Sequence, residues 1–131
     1  MNDRAAESQS IRALLLCGAG FSATWLLSSI LKAAEASGVK LKVISDTIDG
    51  FAYRDLEKDP FDIILIAPQV RIARRNIVKK AEPFGIKVVL MDTMAFGMAD
   101  GEKLFRQILE ALPDKRKGSR RLPRQNESPQ V

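Results

Sequence analysis

Four apolar stretches recur along the chain at intervals wide enough to hold a helix between neighbours: RALLL at 12–16, KLKVI at 40–44, DIILIA at 62–67 and KVVLM at 87–91. The first, third and fourth are nearly continuous in apolar character, as strands covered on both faces are. The second alternates, Leu41 and Val43 against Lys40 and Lys42, and predicts an edge strand. Between the first two, Thr24 to Ser37 places Trp25, Leu26, Ile30, Leu31, Ala33 and Ala34 on one side of a helix that Gly38 ends. Phe51 to Lys58 is short and charged, with Phe51 and Leu56 as anchors and Pro60 behind it, and predicts a brief helix. Ile72 to Glu82 sets Ile72, Ile77 and Ala81 against Arg74, Arg75, Lys79 and Lys80, before Pro83 and Gly85 end it. A last helix, Asp100 to Leu112, opens on acidic residues, presents Leu104, Phe105, Ile108, Leu109 and Leu112, and stops at Pro113. Strand and helix alternating through four units predict one α/β domain over 11–112, an open four-stranded parallel sheet with helices on both faces.

Residues 1–10 and 113–131 carry too few apolar anchors to pack and read as a disordered lead and a basic disordered tail. The 131 residues, 46% apolar and 28% charged, suffice for one core and are too few for two ordinary domains. The formal charge of +5 sits mostly in the tail, where Lys115, Arg116, Lys117, Arg120, Arg121 and Arg124 face only Asp114 and Glu127. That tail has no aromatic residue to stack on bases and one apolar anchor, Leu122, so a solubilising role is favoured over nucleic-acid or anionic-lipid contact. No nucleic-acid partner is expected. No apolar run approaches the roughly 20 residues that span a bilayer, and the polar N-terminus lacks a signal-peptide pattern, so a cytoplasmic location is expected.

The single cysteine, Cys17, cannot close an internal disulfide, and the chain has no histidine. The usual zinc sites and every histidine-activated nucleophile are thereby excluded, and neither metal nor cofactor is expected. In LLLCGAGFSATW the thiol ends a buried strand, and two glycines, a serine and a threonine precede the helix. Gly18 and Gly20 let consecutive amide groups turn inward, and the helix start near Ala23 adds unpaired N–H groups and a positive dipole end. The result is an anion nest over Gly18 to Thr24. Such a nest favours the thiolate and neutralises the oxygens of a phosphoryl group bonded to that sulfur. Ser22 and Thr24 either donate to phosphate oxygens or cap the helix. A second reading makes Cys17 core filler, since unpaired cysteines are among the most buried residues; the glycines and the helix start favour the reactive thiol.

The segments CGAGFSAT, DIILIAPQVR and MDTMAFGMADGEKLF, spread over nearly all of 11–112, resemble the IIB component of the lactose/cellobiose branch of the phosphoenolpyruvate-dependent sugar phosphotransferase system. The resemblance implies a flavodoxin-like fold, shared with low-molecular-weight tyrosine phosphatases. It also implies a phosphotransferase in which Cys17 takes a phosphoryl group from a histidine of a IIA component. The group then passes to cellobiose, chitobiose, lactose or a related β-linked sugar held by the membrane component IIC. By position, Cys17 matches the phosphorylated residue, and Gly18, Ala19, Gly20, Phe21, Ser22, Ala23 and Thr24 match the loop around the phosphate. The family's usual loop resembles Cys-Ala-Ala-Gly-Met-Ser-Thr-Ser, so Gly20 and Ser22 agree while Gly18, Phe21, Ala23 and Thr24 depart, Ala23 losing a hydroxyl. Pro68, Gln69, Val70 and Arg71 match the stretch after the third strand, where Gln69 either steadies the neighbouring loop or satisfies exposed backbone. Asp92 matches the acidic residue closing the fourth strand, acting near the phosphate or as a turn cap. Arg71, Arg74, Arg75, Lys79 and Lys80 form a basic surface that either docks an acidic IIA or IIC face or is an ordinary solvated helix.

A low-molecular-weight phosphatase needs an arginine six positions after the cysteine, where this chain has Ala23. Its leaving-group acid is missing too, because Asp59-Pro60 precedes the third strand and falls at the opposite end of the sheet from Cys17. A dinucleotide fold lacks its full glycine series, and a nucleoside triphosphatase lacks its Gly-Lys-Ser or Gly-Lys-Thr. Without a base to aim water, a phosphocysteine persists for handover. The alternative is a non-enzymatic regulatory or interaction protein on the same fold.

Overall fold

A computed structural model describes residues 10–18 and 23–113; the readings made on 1–9, on Ala19, Gly20, Phe21 and Ser22, and on 114–131 lie outside the described residues. Strands β1 (Ile11–Cys17), β2 (Leu41–Thr47), β3 (Ile63–Ile66) and β4 (Lys87–Leu90) pair in parallel in the order β2-β1-β3-β4. Helices α1 (Thr24–Ala36), α2 (Ile48–Ala52), α3 (Arg74–Ala81), α4 (Thr93–Gly97) and α5 (Gly101–Ala111) connect and follow them, with 3-10 turns at Pro68–Ala73 and Glu82–Phe84. This is the α/β architecture the alternation predicts.

The two-residue period of β1 divides the core. Ile11, Ala13, Leu15 and Cys17 share one apolar layer with Leu26, Ile30 and Ala34 of α1 and Leu104, Phe105 and Ile108 of α5. Leu14 and Leu16 share the other with Phe51 of α2, Leu56, and Ile77 and Ala81 of α3. Both central strands are therefore apolar at consecutive positions, and Leu14, Leu15, Leu16 and Ile63 through Ile66 are fully buried.

Several elements differ from the sequence expectation. The second strand is an edge strand, yet it runs three residues past Ile44, and its polar end brings Thr47 opposite Cys17. The fourth is an edge as well, so Val88, Val89 and Leu90 are only half-buried and its apolar run does not mark a strand covered on both faces. In α1 the buried stripe is Leu26, Ile30 and Ala34, whereas Trp25 is 78% exposed and Leu31 lies at the margin. Helix α2 starts earlier than Phe51 because Thr47 Oγ1 accepts from Gly50 N at 3.0 Å and caps it, and it ends at Ala52, short of Lys58. Ile72 does not join the core. Pro68 opens a 3-10 turn whose backbone kinks at Val70 (φ −117°, ψ 23°), which shifts the helical phase and leaves Ile72 94% exposed.

Lys80 leaves the basic surface assigned to it: its Nζ donates to Phe51 O at 2.6 Å and Ala52 O at 3.0 Å and lies 4.8 Å from the Phe51 ring centroid. It thereby closes the end of α2, as a cation near a helix C-terminus does. The segment after β4, read as a loop, contains α4. Helix α5 begins one residue after its predicted start, with Asp100 as its cap, its side chain accepting from Lys103 N at 3.1 Å. Ser29 of α1 joins the two helices by accepting from Gly101 N and donating to Ala99 O, each at 2.9 Å.

Candidate active site at the end of the first strand

The chain leaves β1 for β2 on one side and returns to β3 on the other. Strand order therefore reverses between β1 and β3, and the crevice beyond their C-terminal ends is where such sheets hold ligands. Cys17 is the last residue of β1, so the topology sets it at the mouth of that crevice.

The thiol is 3% exposed and shares an apolar cluster with Leu15, Ala23 and Ala67. Burial pushes it up from 9.0 to about 11, because taking the charged form out of water disfavours it. Burial thus acts against the shift toward thiolate that the sequence predicts. Alkylation of Cys17 by iodoacetamide should rise with pH to a half-maximum near 11, and a plateau below pH 8 would show that loop amides override burial. Stability should be unaffected below pH 9 and fall between about 9 and 11, where the unfolded thiol ionises before the folded one.

Ala23 is the N-cap of α1 and supplies no side-chain acceptor, and Thr24, exposed, is the first helical residue. Thr24 is thus not the cap, and among the described residues no side chain caps the first-turn amides of this 13-residue helix. Such amides and the helix dipole suit an anion.

Among the described glycines only Gly38 and Gly85 have positive φ, and Gly18 does not. A Cβ there would meet Val70 Cγ1 at 3.6 Å and Gln69 Cγ at 3.9 Å, ordinary contact distances. Gly18→Ala should accordingly fold with unchanged or slightly raised thermal stability; a melting temperature lowered by more than a few degrees would contradict that geometry.

The same contacts place Gln69 and Val70 beside the residue that follows Cys17. The turn they belong to is anchored by Ala67 N donating to Leu16 O at 2.9 Å and Val70 N to Ala67 O at 3.0 Å. Arg71 donates to Pro68 O at 3.4 Å within that turn, and Arg74 and Arg75 lie exposed at the start of α3. Asp92 has the geometry of a cap: its Oδ2 accepts from Ala95 N at 2.9 Å and lies 3.8 Å from Lys103 Nζ. Gln107 went unnoticed in the sequence. Its Oε1 accepts from Asp92 N at 2.8 Å and its Nε2 donates to Leu90 O at 3.3 Å, fixing the end of β4 from a helix fifteen residues away. Asp59 pairs at 2.8 Å with Arg12, the second residue of β1 and so at the far end of that strand from Cys17, and at 2.7 Å with Arg54, which also holds Asp46.

The family model for the lactose/cellobiose-specific IIB subunit of the PTS system matches residues 12–107. The chain belongs to this family. The oligo-beta-mannoside-specific EIIB component of Bacillus subtilis (strain 168) is 32% identical over 99 residues, covering 76% of this chain and 93% of that protein. The galactose-specific EIIB component of Lactococcus lactis subsp. cremoris (strain MG1363) is 30% identical over 93 residues, covering 69% and 85%. Among solved structures, the lactose-specific IIB domain of Streptococcus pneumoniae superposes with a TM-score of 0.66 at 24% identity, covering 79% of this chain and 98% of that one; this likeness bears on the fold. The cellobiose-specific IIB component of Borrelia burgdorferi gives 0.62 at 29% identity, covering 81% and 94%. The protein is thus a IIB-type, sugar-specific component of a phosphotransferase system, and a transferase by family. No helix among the described residues is long and apolar enough to cross a membrane.

Proposed function

We propose that this IIB protein is a cysteine phosphoryl carrier, loaded on Cys17 by a phosphohistidine of a IIA component and discharged to a sugar held by a membrane IIC component. The observation that carries this reading is the position of the chain's lone cysteine, ending β1 at the reversal of strand order and just ahead of the start of α1. In the loading step the sulfur of Cys17 attacks phosphorus in line, an S–P bond forms and the donor's N–P bond breaks. The thiol proton ends on the released imidazole nitrogen. Burial favours the protonated thiol, which suits that exchange, since the leaving imidazole is itself the proton's destination. In discharge a sugar hydroxyl attacks phosphorus, and its proton returns to the Cys17 sulfur as the S–P bond breaks. Amides of Gly18 through Thr24, with the α1 terminus, balance charge on the transferring oxygens, and Gln69 supports Gly18 from the side.

Relatives named for oligo-beta-mannoside and cellobiose favour a β-linked sugar as acceptor, while the relative named for galactose adds a monosaccharide to the candidates, with the reaction at the cytoplasmic face beside IIC. No group placed near Cys17 among the described residues serves as a base for water, so the loaded form is expected to outlive hydrolysis. The test is a chase: protein loaded with labelled phosphate is mixed with membranes holding a lactose/cellobiose-family IIC and with a set of β-linked disaccharides and galactose. Label should move to one sugar and to none when IIC is omitted. Label released as inorganic phosphate at the same rate with or without sugar would instead indicate a hydrolase.

A further inference from the structure

Directly beside Gly18, the turn Pro68–Ala73 holds a shallow groove of about 620 Å³ lined by Pro68, Gln69, Arg71, Ile72, Arg74 and Leu90. Two features of it are unexplained by folding. Ile72 projects an almost fully exposed β-branched side chain from a turn whose first residue, Pro68, is buried. Arg71, Arg74 and Arg75 pair with no carboxylate among the described residues, although Arg12 and Arg54 are each tied to aspartates. Exposed apolar surface rimmed by one sign of charge marks a protein contact and selects a partner of the opposite sign.

On the relay reading above, we propose that this turn is the docking element for the phosphoryl donor, with an acidic donor segment lying along Arg71, Arg74 and Arg75 and a donor apolar side chain packing against Ile72 in the groove. The donor is the partner that fits the charge. In the empty carrier these arginines are uncompensated, and the empty carrier is the state that meets the donor. A loaded donor brings a phosphoryl group of about −1.5 to −2 charge as well. After transfer that charge sits on Cys17, the basic end is partly neutralised, and the spent donor is released. Electrostatics thus bias the exchange toward loading.

The test separates docking from chemistry by measuring, by calorimetry, the binding of each member of a IIA panel to a Cys17→Ala variant. Arg71→Glu/Arg74→Glu in that background should weaken binding at least about ten-fold, since like charges placed at an interface repel, and Ile72→Ala should weaken it less. Binding of the parent should also fall as salt rises from about 0.05 to 0.5 M. In the Cys17-bearing protein the same changes should leave melting temperature and Cys17 alkylation unaltered, which shows the fold intact. Binding insensitive to charge reversal and to salt, or no binding by any member, overturns the docking element. Sensitive binding together with no loading of wild-type Cys17 overturns the relay while the docking element stands.

Discussion

Replacing Cys17 with serine should reduce phosphoryl loading to below about one part in a thousand of wild type, because no second nucleophile at this site takes its place. The chain has no histidine, so no phosphohistidine forms within it as a detour. Serine also carries a structural cost. At a position 3% exposed inside an apolar cluster, a hydroxyl buried without a hydrogen bond costs about 1–3 kcal/mol. Cys17→Ala removes the thiol without adding a polar group and separates the two effects. Both variants should fail to load, and the alanine variant should melt closer to wild type. Loading retained by the alanine variant would place the chemistry on another residue.

The second large effect lies in the scaffold. A Cβ added at Gly101 would overlap the backbone of Ser29, so the first turn of α5 sits against α1 at a distance only glycine permits. Gly101→Val should destabilise the fold by about 3 kcal/mol, at the upper end for overpacking, and lower the melting temperature by roughly 15 °C for a domain of this size. Gly97→Ala is the matched control, since nothing lies within 4 Å of its added Cβ, and it should melt like wild type. A Gly101→Val protein within a few degrees of wild type would show that α1 and α5 part without cost.

Much of this scaffold is legible in the chain, and the reasons are local. Leu14 to Leu16 and Ile63 to Ile66 read as central strands because each residue on either face meets a covering layer. Lys40 and Lys42 mark β2 as an edge because only one of its faces is covered. The readings that fail assume that apolar means buried. Trp25 and Ile72 fit helical stripes in the sequence, yet both are exposed at the end of the sheet that carries Cys17. The bridge from Gln107 to the end of β4 and the Gly101 contact with Ser29 join residues far apart in sequence, so no local pattern announces them. For the site, Cys17 and its strand end are legible from a thiol followed by glycines. The direction of its titration is not, because it depends on the apolar cluster assembled around it.

The most direct measurement is the intact mass of the protein after incubation with phosphoenolpyruvate, the two general phosphotransferase proteins and a panel of IIA components, followed by fragment mapping. The account predicts a single phosphoryl adduct that requires one IIA component, maps to the fragment holding Cys17, and is absent from Cys17→Ala. An unmodified mass with every donor, from folded protein whose thiol still titrates, would contradict the carrier role.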